Sequence, residues 1–523
     1  MREQYDVVVI GGGAAGLSGA LALTRARRSV LVIDAGEPRN APAGHVHNYL
    51  GRENTPPAEL LRIGRAEVTS YGGEFLDATV TDVTGDADHG FVVTTPGARV
   101  RARRVLVTTG LVDELPDIPG LAERFGRDVL HCPYCHGYEV RDRAIGIIAT
   151  GPMAVHGALL WGQWTGDVAL FLHDGFTVTD EQREQLDARR VRIVEGRVTA
   201  VEVTGDRLTG VRLESGEIVP RDVLVVQTGV RPRDGLLTGL GIVAEEKRMG
   251  PVPIGAFVPV APNGATSRPG VFAAGNVVDP MAQVIVAAGS GLVAGAALNM
   301  DLIEQDTRRA VAFRRLGVSG DDPAELHSRD YWERRYSAHG HRFSGNPNPH
   351  LVSDVAGLTP GRALDAGCGE GGDAIWLAKQ GWRTTGVDIS ATALTRAAEH
   401  AAEAGVTVAW EQGDLAGWIP EPGAYDLVST HFVHMYGAAA EDLYRRLGSG
   451  VAPGGTLLVV NHSYTDVAQA PLNRPDLPEM FMTAAQIAAT LKPDEWDVQV
   501  AEERSRAARG TTVHDVVVRA KRR

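Results

Sequence analysis

Two of the three cysteines in this 523-residue chain lie two residues apart, in His131-Cys132-Pro133-Tyr134-Cys135-His136. Thiols at that spacing can form a redox pair, supply half of a zinc site, or mark an incidental turn. The same residues spell C-x-x-C-H, the pattern of covalent haem attachment. Haem attachment needs export, and the chain opens straight into a strand-like run rather than a charged and apolar leader. Zinc needs two further ligands, and no second C-x-x-C or H-x-x-x-H follows at suitable spacing. No metal site is expected. A redox pair needs thiolate character, which a neighbouring imidazole favours by becoming cationic. His136 titrates in the range an acid–base partner requires, or else it only caps the turn.

Thiols that move electrons need a carrier, and the N-terminus has a place for one. Residues 5–10, YDVVVI, read as a buried parallel strand, β-branched and without polar alternation. Gly11, Gly13 and Gly16 follow as G-x-G-x-x-G, then a helix-forming stretch, then a second strand ending at Asp34, 18 residues after Gly16. The first glycine makes the tight turn and the second lets a pyrophosphate approach the backbone. The third brings helix and strand together, and the acid takes the ribose hydroxyls. Strand, turn, helix, strand and acid fall in order, so a dinucleotide site is expected.

A glycine pattern of another kind restarts at Asp365-Ala366-Gly367-Cys368-Gly369-Glu370-Gly371, where RALDAG turns into the helix-forming GGDAIWLAK. Asp388 ends the next strand and Gly413-Asp414 follows a third. YDLVST (425–430) and the Pro453-Gly454-Gly455 turn complete the series. Cys368 belongs to the glycine turn and reads as a small buried residue rather than a third redox thiol.

Composition sets the frame around these motifs. Apolar residues at 44% and charged residues at 22% are ordinary for packed globular protein, and the length calls for about three domains. A net charge of −13 argues against nucleic acid as a partner. No 18-residue apolar run is read from the sequence, so no membrane association and a cytoplasmic location are expected. A β-α-β pattern at 144–172 lies between two strand-turn elements, RRVLVTTG (103–110) and VLVVQTG (223–229). A long Ala/Gly-rich helix ends the segment near 300. From about 306 to 325 the chain turns polar and charged and is read as a linker.

Residues 1 to about 305 resemble the low-molecular-weight thioredoxin reductases, flavin-dependent pyridine-nucleotide disulphide oxidoreductases. The matching elements are GGGAAG at 11–16, T-T-G at 108–110, Cys132/Cys135, T-G at 228–229 and GVFAAGN at 270–276. The resemblance implies an α/β architecture of two Rossmann-like three-layer domains. The FAD domain is built from 1–115 and 248–305, and a nicotinamide-type domain carrying the C-x-x-C, 116–247, is inserted. It places Gly11, Gly13, Gly16 and Asp34 on the FAD adenosine and pyrophosphate, Gly275 and Asn276 at the ribityl chain, and Gln283 near the isoalloxazine ring. It makes Cys135 the flavin-proximal thiol and Cys132 the attacking one. It also implies a homodimer and, as substrate, a small thiol or disulphide or a thioredoxin-like protein.

Five departures stand out. Asn276 and Ala282 occupy positions where the family usually has Asp and Arg, and His136 stands where it has Asp. The second nucleotide turn reads Ala149-Thr150-Gly151-Pro152-Met153-Ala154, without its first glycine and with a proline. After the next strand, FLHDGFTVTDEQ (171–182) has no arginine for a 2′-phosphate, so NAD(P)H is uncertain. The CPYCHG form with this altered turn is similar to flavin dithiol oxidases of disulphide natural products. Two directions of electron flow therefore stay open: a reductase fed by NAD(P)H, or an oxidase fed by a dithiol.

Residues 326–523 resemble class I S-adenosylmethionine-dependent methyltransferases, a further α/β sandwich. The resemblance puts Asp365, Gly367, Gly369 and Gly371 at the methionine part of the cofactor, Asp388 on the ribose and Asp414 at the adenine. Trp332 and Tyr336 are candidate covers, and His431 and His434 line the acceptor side or act as a base. The form is similar to small-molecule rather than nucleic-acid enzymes. Both halves on one chain suggest a bifunctional enzyme with a shared thiol substrate, oxidised or reduced by one half and S-methylated by the other. A flavin module that senses redox state or dimerises, without catalysis, is the rival.

Overall fold

The computed structural model describes the chain except for residues 1, 3, 152, 250–251, 319–322, 339–344, 436–437, 467–475 and 509–510. It divides into two compact units, Met1–Ile303 and Glu304–Arg523.

In the first unit, strand Gln4–Ile10 lies parallel between Val30–Asp34 and Arg99–Val107. Its side chains alternate between two cores. Val8 and Ile10 enter one, Val7 and Val9 the other, and Leu31/Ile33 and Val30/Val32 of the neighbour divide the same way. A strand buried on both faces is why this segment reads as continuous β-branched sequence. Late in the unit, Val271–Ala273 returns to pair with Arg99–Val107. A second parallel sheet runs Arg192–Glu195, Val168–Leu172, Ile145–Ile148, Val223–Val226, Val129–Leu130. An antiparallel pair, Leu111–Glu114 with Gly229–Pro232, carries the two crossings between the sheets.

Helix Ala14–Arg25 follows the first glycine turn and packs on helix Val284–Leu316 with almost no space between backbones. A Cβ on Gly291 would come within 2.0 Å of the Ala15 carbonyl oxygen, and one on Gly295 within 2.8 Å of that of Gly19. The Ala/Gly composition is thus a packing requirement. It also corrects the expectation that no long apolar run exists: Val284–Leu316 is long and apolar enough to cross a membrane by length and composition.

The same helix runs into the stretch read as a linker. The charged stretch from 306 stays helical to Leu316, because it holds good helix formers and neither Gly nor Pro. Gly317, at φ +78°, closes it, with its N–H donating to the Arg314 carbonyl and that of Val318 to Phe313.

The second unit is one sheet ordered Ala409–Gln412, Arg383–Asp388, Arg362–Ala366, Tyr425–His431, Val451–His462, Thr511–Arg522, Trp496–Ala508. The first five strands are parallel and the last two antiparallel to their neighbours. Chain order reverses between Arg362–Ala366 and Tyr425–His431, which opens a crevice beyond the carboxyl ends of those strands.

Candidate functional site

The first glycine turn is shaped by what a side chain would strike. Gly11 sits at φ +105°, with room for a Cβ only 2.5 Å from the Thr108 carbonyl oxygen, and a Cβ on Gly16 would lie 1.9 Å from the Gly11 oxygen. Gly13 differs: a Cβ there meets nothing within 4 Å. The turn is therefore tight behind and open in front. Asp34 closes it from the next strand, its Oδ1 accepting from the Gly12 N–H at 2.9 Å.

In front of the turn lies a cavity of about 950 Å³ whose walls include Gly13, Asp34, Cys132, Cys135, Asn276 and Gln283. Of the residues expected at this site, the structure gathers all of these and Gly11, His136 and Gly275 on one cavity. Gly16 lies behind it as a packing residue. Asn276 explains its own departure from Asp. Its Nδ2 donates to the carbonyls of Asp279 (3.1 Å) and Ala282 (2.9 Å), which a carboxylate cannot do.

The two half-buried thiols are free and differ in acidity. The hydrogen bond from Cys135 and backbone N–H groups lower Cys132 to about 7, against the pull of burial. The same bond and burial push Cys135 well up. Cys132 is thus the thiolate of the pair. His136 does not supply the cation expected of it, because burial lowers its pKa and leaves it neutral. Arg39 takes that role, lowering both thiols by its charge. Its guanidinium forks onto Asp113, with Nε and Nη2 each 2.6 Å from an oxygen, and Thr228 donates to the same carboxylate at 3.0 Å. Sequence reasoning missed Arg39 and Asp113, because nothing in Glu37-Pro38-Arg39-Asn40 marks an arginine whose charge acts on a thiol; Thr228 was legible only as part of the T-G turn at 228–229.

The second unit repeats the turn with other chemistry. Gly367 (φ +80°), Gly369 (φ +53°) and Gly371 (φ +88°) need left-handed backbone. Asp388 accepts from the N–H groups of Gly369 and Ser390, both at 2.9 Å. Asp414 uses its carboxylate on its own turn, accepting from Ala416 at 2.9 Å, and remains exposed. Behind the turn, burial raises Asp365 to about 7, helped by Asp373, and its Oδ2 is buried without a hydrogen-bond partner. His431 Nδ1 lies 2.7 Å from Asp373 Oδ2. Burial alone would lower His431, but Asp373 outweighs it and holds the imidazole above its ordinary value. Atoms of Asp365, Asp373 and His431 lie within 4.8 Å of one another, a spacing that a cation, organic or metallic, can bridge. Asp373, on the first turn of helix Gly372–Lys379, was not singled out from sequence.

Tyr336 is not a movable cover. It is 3% exposed and packs beside Trp332 with ring centroids 6.1 Å apart. Their helix, Arg329–Ser337, instead presents Glu333 to the N-terminus of helix Ala391–Glu403, where it accepts from the N–H of Ala391 at 2.6 Å. Tyr436 of the HFVHMY stretch and Pro152 of the second nucleotide turn lie outside the described residues.

Comparison with known proteins decides the family. Residues 5–291 match the pyridine nucleotide-disulphide oxidoreductase family, and residues 363–455 match a methyltransferase domain. The chain belongs to the pyridine nucleotide-disulphide oxidoreductases. It is 32% identical over 309 residues to thioredoxin reductase tcpT of Claviceps purpurea, spanning 57% of this chain and 94% of that protein. Thioredoxin reductase sirT of Leptosphaeria maculans is 31% identical over 320 residues, spanning 58% and 95%. Among solved structures, that of HlmI is 48% identical with a TM-score of 0.56, covering 60% of this chain and 98% of that one. An oxidoreductase from Agrobacterium tumefaciens is 36% identical with a TM-score of 0.54, covering 58% and 99%. A methyltransferase domain is fused behind the oxidoreductase.

The family implies FAD and NAD(P)H, and the methyltransferase domain implies S-adenosylmethionine; the residues fit two of the three. The open face of Gly13 above a tight turn, with Asp34 beside it, is a cradle for a dinucleotide. The orphaned Oδ2 of Asp365 suits the cationic methionine end of a sulfonium cofactor. The oxidoreductase's second nucleotide turn does not fit. Ala149 stands where the first glycine belongs, and a Cβ on Gly151 would lie 3.2 Å from Gln227 Oε1, so that side chain stands beside the turn. After strand Val168–Leu172 the chain offers Asp174 at φ +55°, 3.7 Å from Arg197, rather than a free cation for a phosphate.

Proposed function

We propose that the oxidoreductase unit oxidises a small dithiol to its disulphide through Cys132 and Cys135, and that the methyltransferase unit S-methylates a thiol of the same substrate class. The observation that carries the reading is the unequal pair of thiols on the cavity of the open glycine turn, Cys132 lowered to about 7 and Cys135 raised. The altered second turn, with Ala149 in place of its first glycine, argues for a dithiol rather than a nicotinamide as the electron source.

In the oxidised pair, a substrate thiolate attacks Cys132 and displaces Cys135, forming a mixed disulphide. The second substrate thiol, once deprotonated, displaces Cys132 and leaves as the cyclic disulphide. Two electrons stay on the Cys pair and two protons pass to solvent. FAD, which the Gly11–Gly13 turn and Asp34 would hold, would supply the two-electron acceptor for the reduced pair, with dioxygen as the final oxidant. Arg39 stabilises whichever thiolate leaves, and Asp113 fixes the guanidinium. The neutral His136 accepts a proton from the incoming thiol without first having to lose one. Asn276 holds the turn that carries Gln283 to the cavity.

Relatives named thioredoxin reductase favour the opposite direction, a reductase fed by a nicotinamide. The test is to add NADPH, NADH and then a small dithiol to the yellow protein under argon and follow the flavin absorbance. Bleaching by the dithiol alone, reversed by air, supports the oxidase. Bleaching by either nicotinamide would overturn it in favour of the reductase. A colourless protein that takes up no FAD would leave a regulatory module for the methyltransferase.

A further inference from the structure

In the oxidoreductase unit, between strand Val30–Asp34 and helix Pro57–Ser70, the chain makes a loop that no nucleotide motif explains. Its ends are tied together: the N–H of Val46 donates to the Thr55 carbonyl at 2.8 Å, and that of Asn54 to the Val46 carbonyl at 3.0 Å. Inside it, Glu53 turns its carboxylate back on the loop. Oε1 lies 2.6 Å from His47 Nδ1, and Oε2 accepts from the Asn48 N–H at 2.9 Å. Asn48 and Asn54 sit at φ +59° and +63°, a left-handed conformation that asparagine adopts more readily than most side chains. The loop therefore holds its own shape and presents the Asn48 amide outward.

That amide meets the turn that carries the thiols. Asn48 Nδ2 donates to the Tyr134 carbonyl at 2.6 Å, across 86 residues of chain. Tyr134 stands between the two cysteines, in the one-turn helix Pro133–His136. That helix uses the carbonyls of Cys132 and Pro133, which accept from His136 at 3.2 Å and Gly137 at 2.6 Å, and it ends before a further N–H reaches Tyr134. Asn48 supplies the donor that the short helix lacks. The carbonyl of Tyr134 and the N–H of Cys135 belong to one planar peptide group and point opposite ways. Holding the oxygen therefore aims the N–H. The N–H groups of Cys135 and Tyr134 both act on the Cys132 sulfur and help to lower its acidity constant to about 7. A donor on the carbonyl also polarises the peptide and strengthens that N–H.

We propose that Asn48 is a positioning residue for the reactive thiol, fixing through the Tyr134 carbonyl the peptide plane whose N–H supports the Cys132 sulfur. The inference rests on Cys132 being the reactive thiol of the function proposed above, and holds for either direction of electron flow. Its place in the reaction is the displacement in which Cys132 leaves as a thiolate. Glu53 acts one step further back, by holding the loop. The titratable and charged groups around the thiol are Cys135 and Arg39, which act on it directly, and His131 and His136, which flank the turn. On the loop's side stand His47, Glu53 and Glu139, the last 3.5 Å from His47 Nε2. Asn48 itself carries no charge, so its effect on Cys132 runs through the peptide.

Asn48→Gly tests this with least disturbance, because glycine keeps the left-handed backbone and removes only the amide. The full-length protein is reduced and alkylated with iodoacetamide over a range of pH, and the label is read on the Cys132 peptide by mass. The midpoint, near 7 in wild type, should rise in the variant, with the rate below it falling roughly three- to tenfold, the size of one hydrogen bond. An unchanged midpoint in folded, yellow Asn48→Gly protein means that the contact only anchors the loop and overturns the proposal. Glu53→Gln is the second variant, and its sign is informative. Loss of an anion acting by charge alone lowers the midpoint, whereas a loosened loop raises it. If Asn48→Gly fails to fold, Glu53→Gln decides alone: a rise supports the proposal, and no change or a fall overturns it. The readout needs no turnover, so it is separate from the redox reading. If Cys135→Ser leaves bleaching by a dithiol intact, that reading fails, while the alkylation midpoints still judge Asn48.

Discussion

In the oxidoreductase unit the N–H of Gly12 reaches Asp34 at 2.9 Å; in the methyltransferase unit that of Gly369 reaches Asp388 at the same 2.9 Å. Two glycine turns, each closed by an acid from the next strand, solve the same problem of bringing backbone close to a nucleotide. The groups around them are opposite in charge. Beside the first turn stand a guanidinium and a neutral imidazole, which favour a thiolate. Beside the second stand two carboxylates, Asp373 paired with the His431 imidazole and Asp365 without a hydrogen-bond partner at Oδ2, and the latter favours a sulfonium or ammonium. A shared turn fixes where a ligand lies. The charge beside it decides what chemistry that ligand can undergo.

The strongest way to break this comparison is to remove the thiol that the anion-favouring side serves. Cys135→Ser should keep the protein yellow and folded, while flavin bleaching by a dithiol under argon falls to background. Bleaching at the wild-type rate would take the pair out of the electron path.

On the cation-favouring side, Asp365→Asn should weaken S-adenosylmethionine binding about tenfold (~1.4 kcal/mol) and binding of the uncharged thioether product far less, read by calorimetry. The sign with pH follows from a carboxyl raised to about 7. A bound cation favours its ionised form, so affinity for the sulfonium should rise as pH rises through about 7, and the variant should lose that slope. Equal weakening for both ligands would mean the carboxylate acts through packing alone.

A smaller effect sharpens the anion-favouring side. Arg39→Gln removes a charge that lowers both thiols. The midpoint of Cys132 alkylation by iodoacetamide in the reduced protein, near 7 in wild type, should move up, with a several-fold slower rate below it. An unchanged midpoint would leave the hydrogen bonds from Cys135 and the backbone N–H groups as the cause.

The smallest is structural. Asn276→Asp restores the residue common in the family but loses two donated hydrogen bonds to carbonyls. It should destabilise the turn by roughly 1–3 kcal/mol in chemical denaturation. A gain in stability would show that the carboxylate finds donors of its own.

The sequence by itself determined the parts whose physics is local. Gly11, Gly16, Gly367 and Gly371 are legible because a turn that admits no Cβ admits no other residue. Val7–Ile10 is legible because a strand buried on both faces must be apolar throughout. The fold class came from the resemblance that these motifs carry, taken in order along the chain. Local reading erred where composition can serve two purposes. Charge after residue 306 is a solvated helix face as readily as a linker, and Ala and Gly near 290 serve close packing. Only the tertiary structure decided which charge meets which reactive group. Arg39 reaches Asp113 across 74 residues and His462 reaches Asp515 across 53. His431 meets Asp373 between two strand ends and a helix start. These pairings have no periodicity or spacing in sequence. They depend on sheet order and on burial, which strengthens each charge by excluding the water that would screen it.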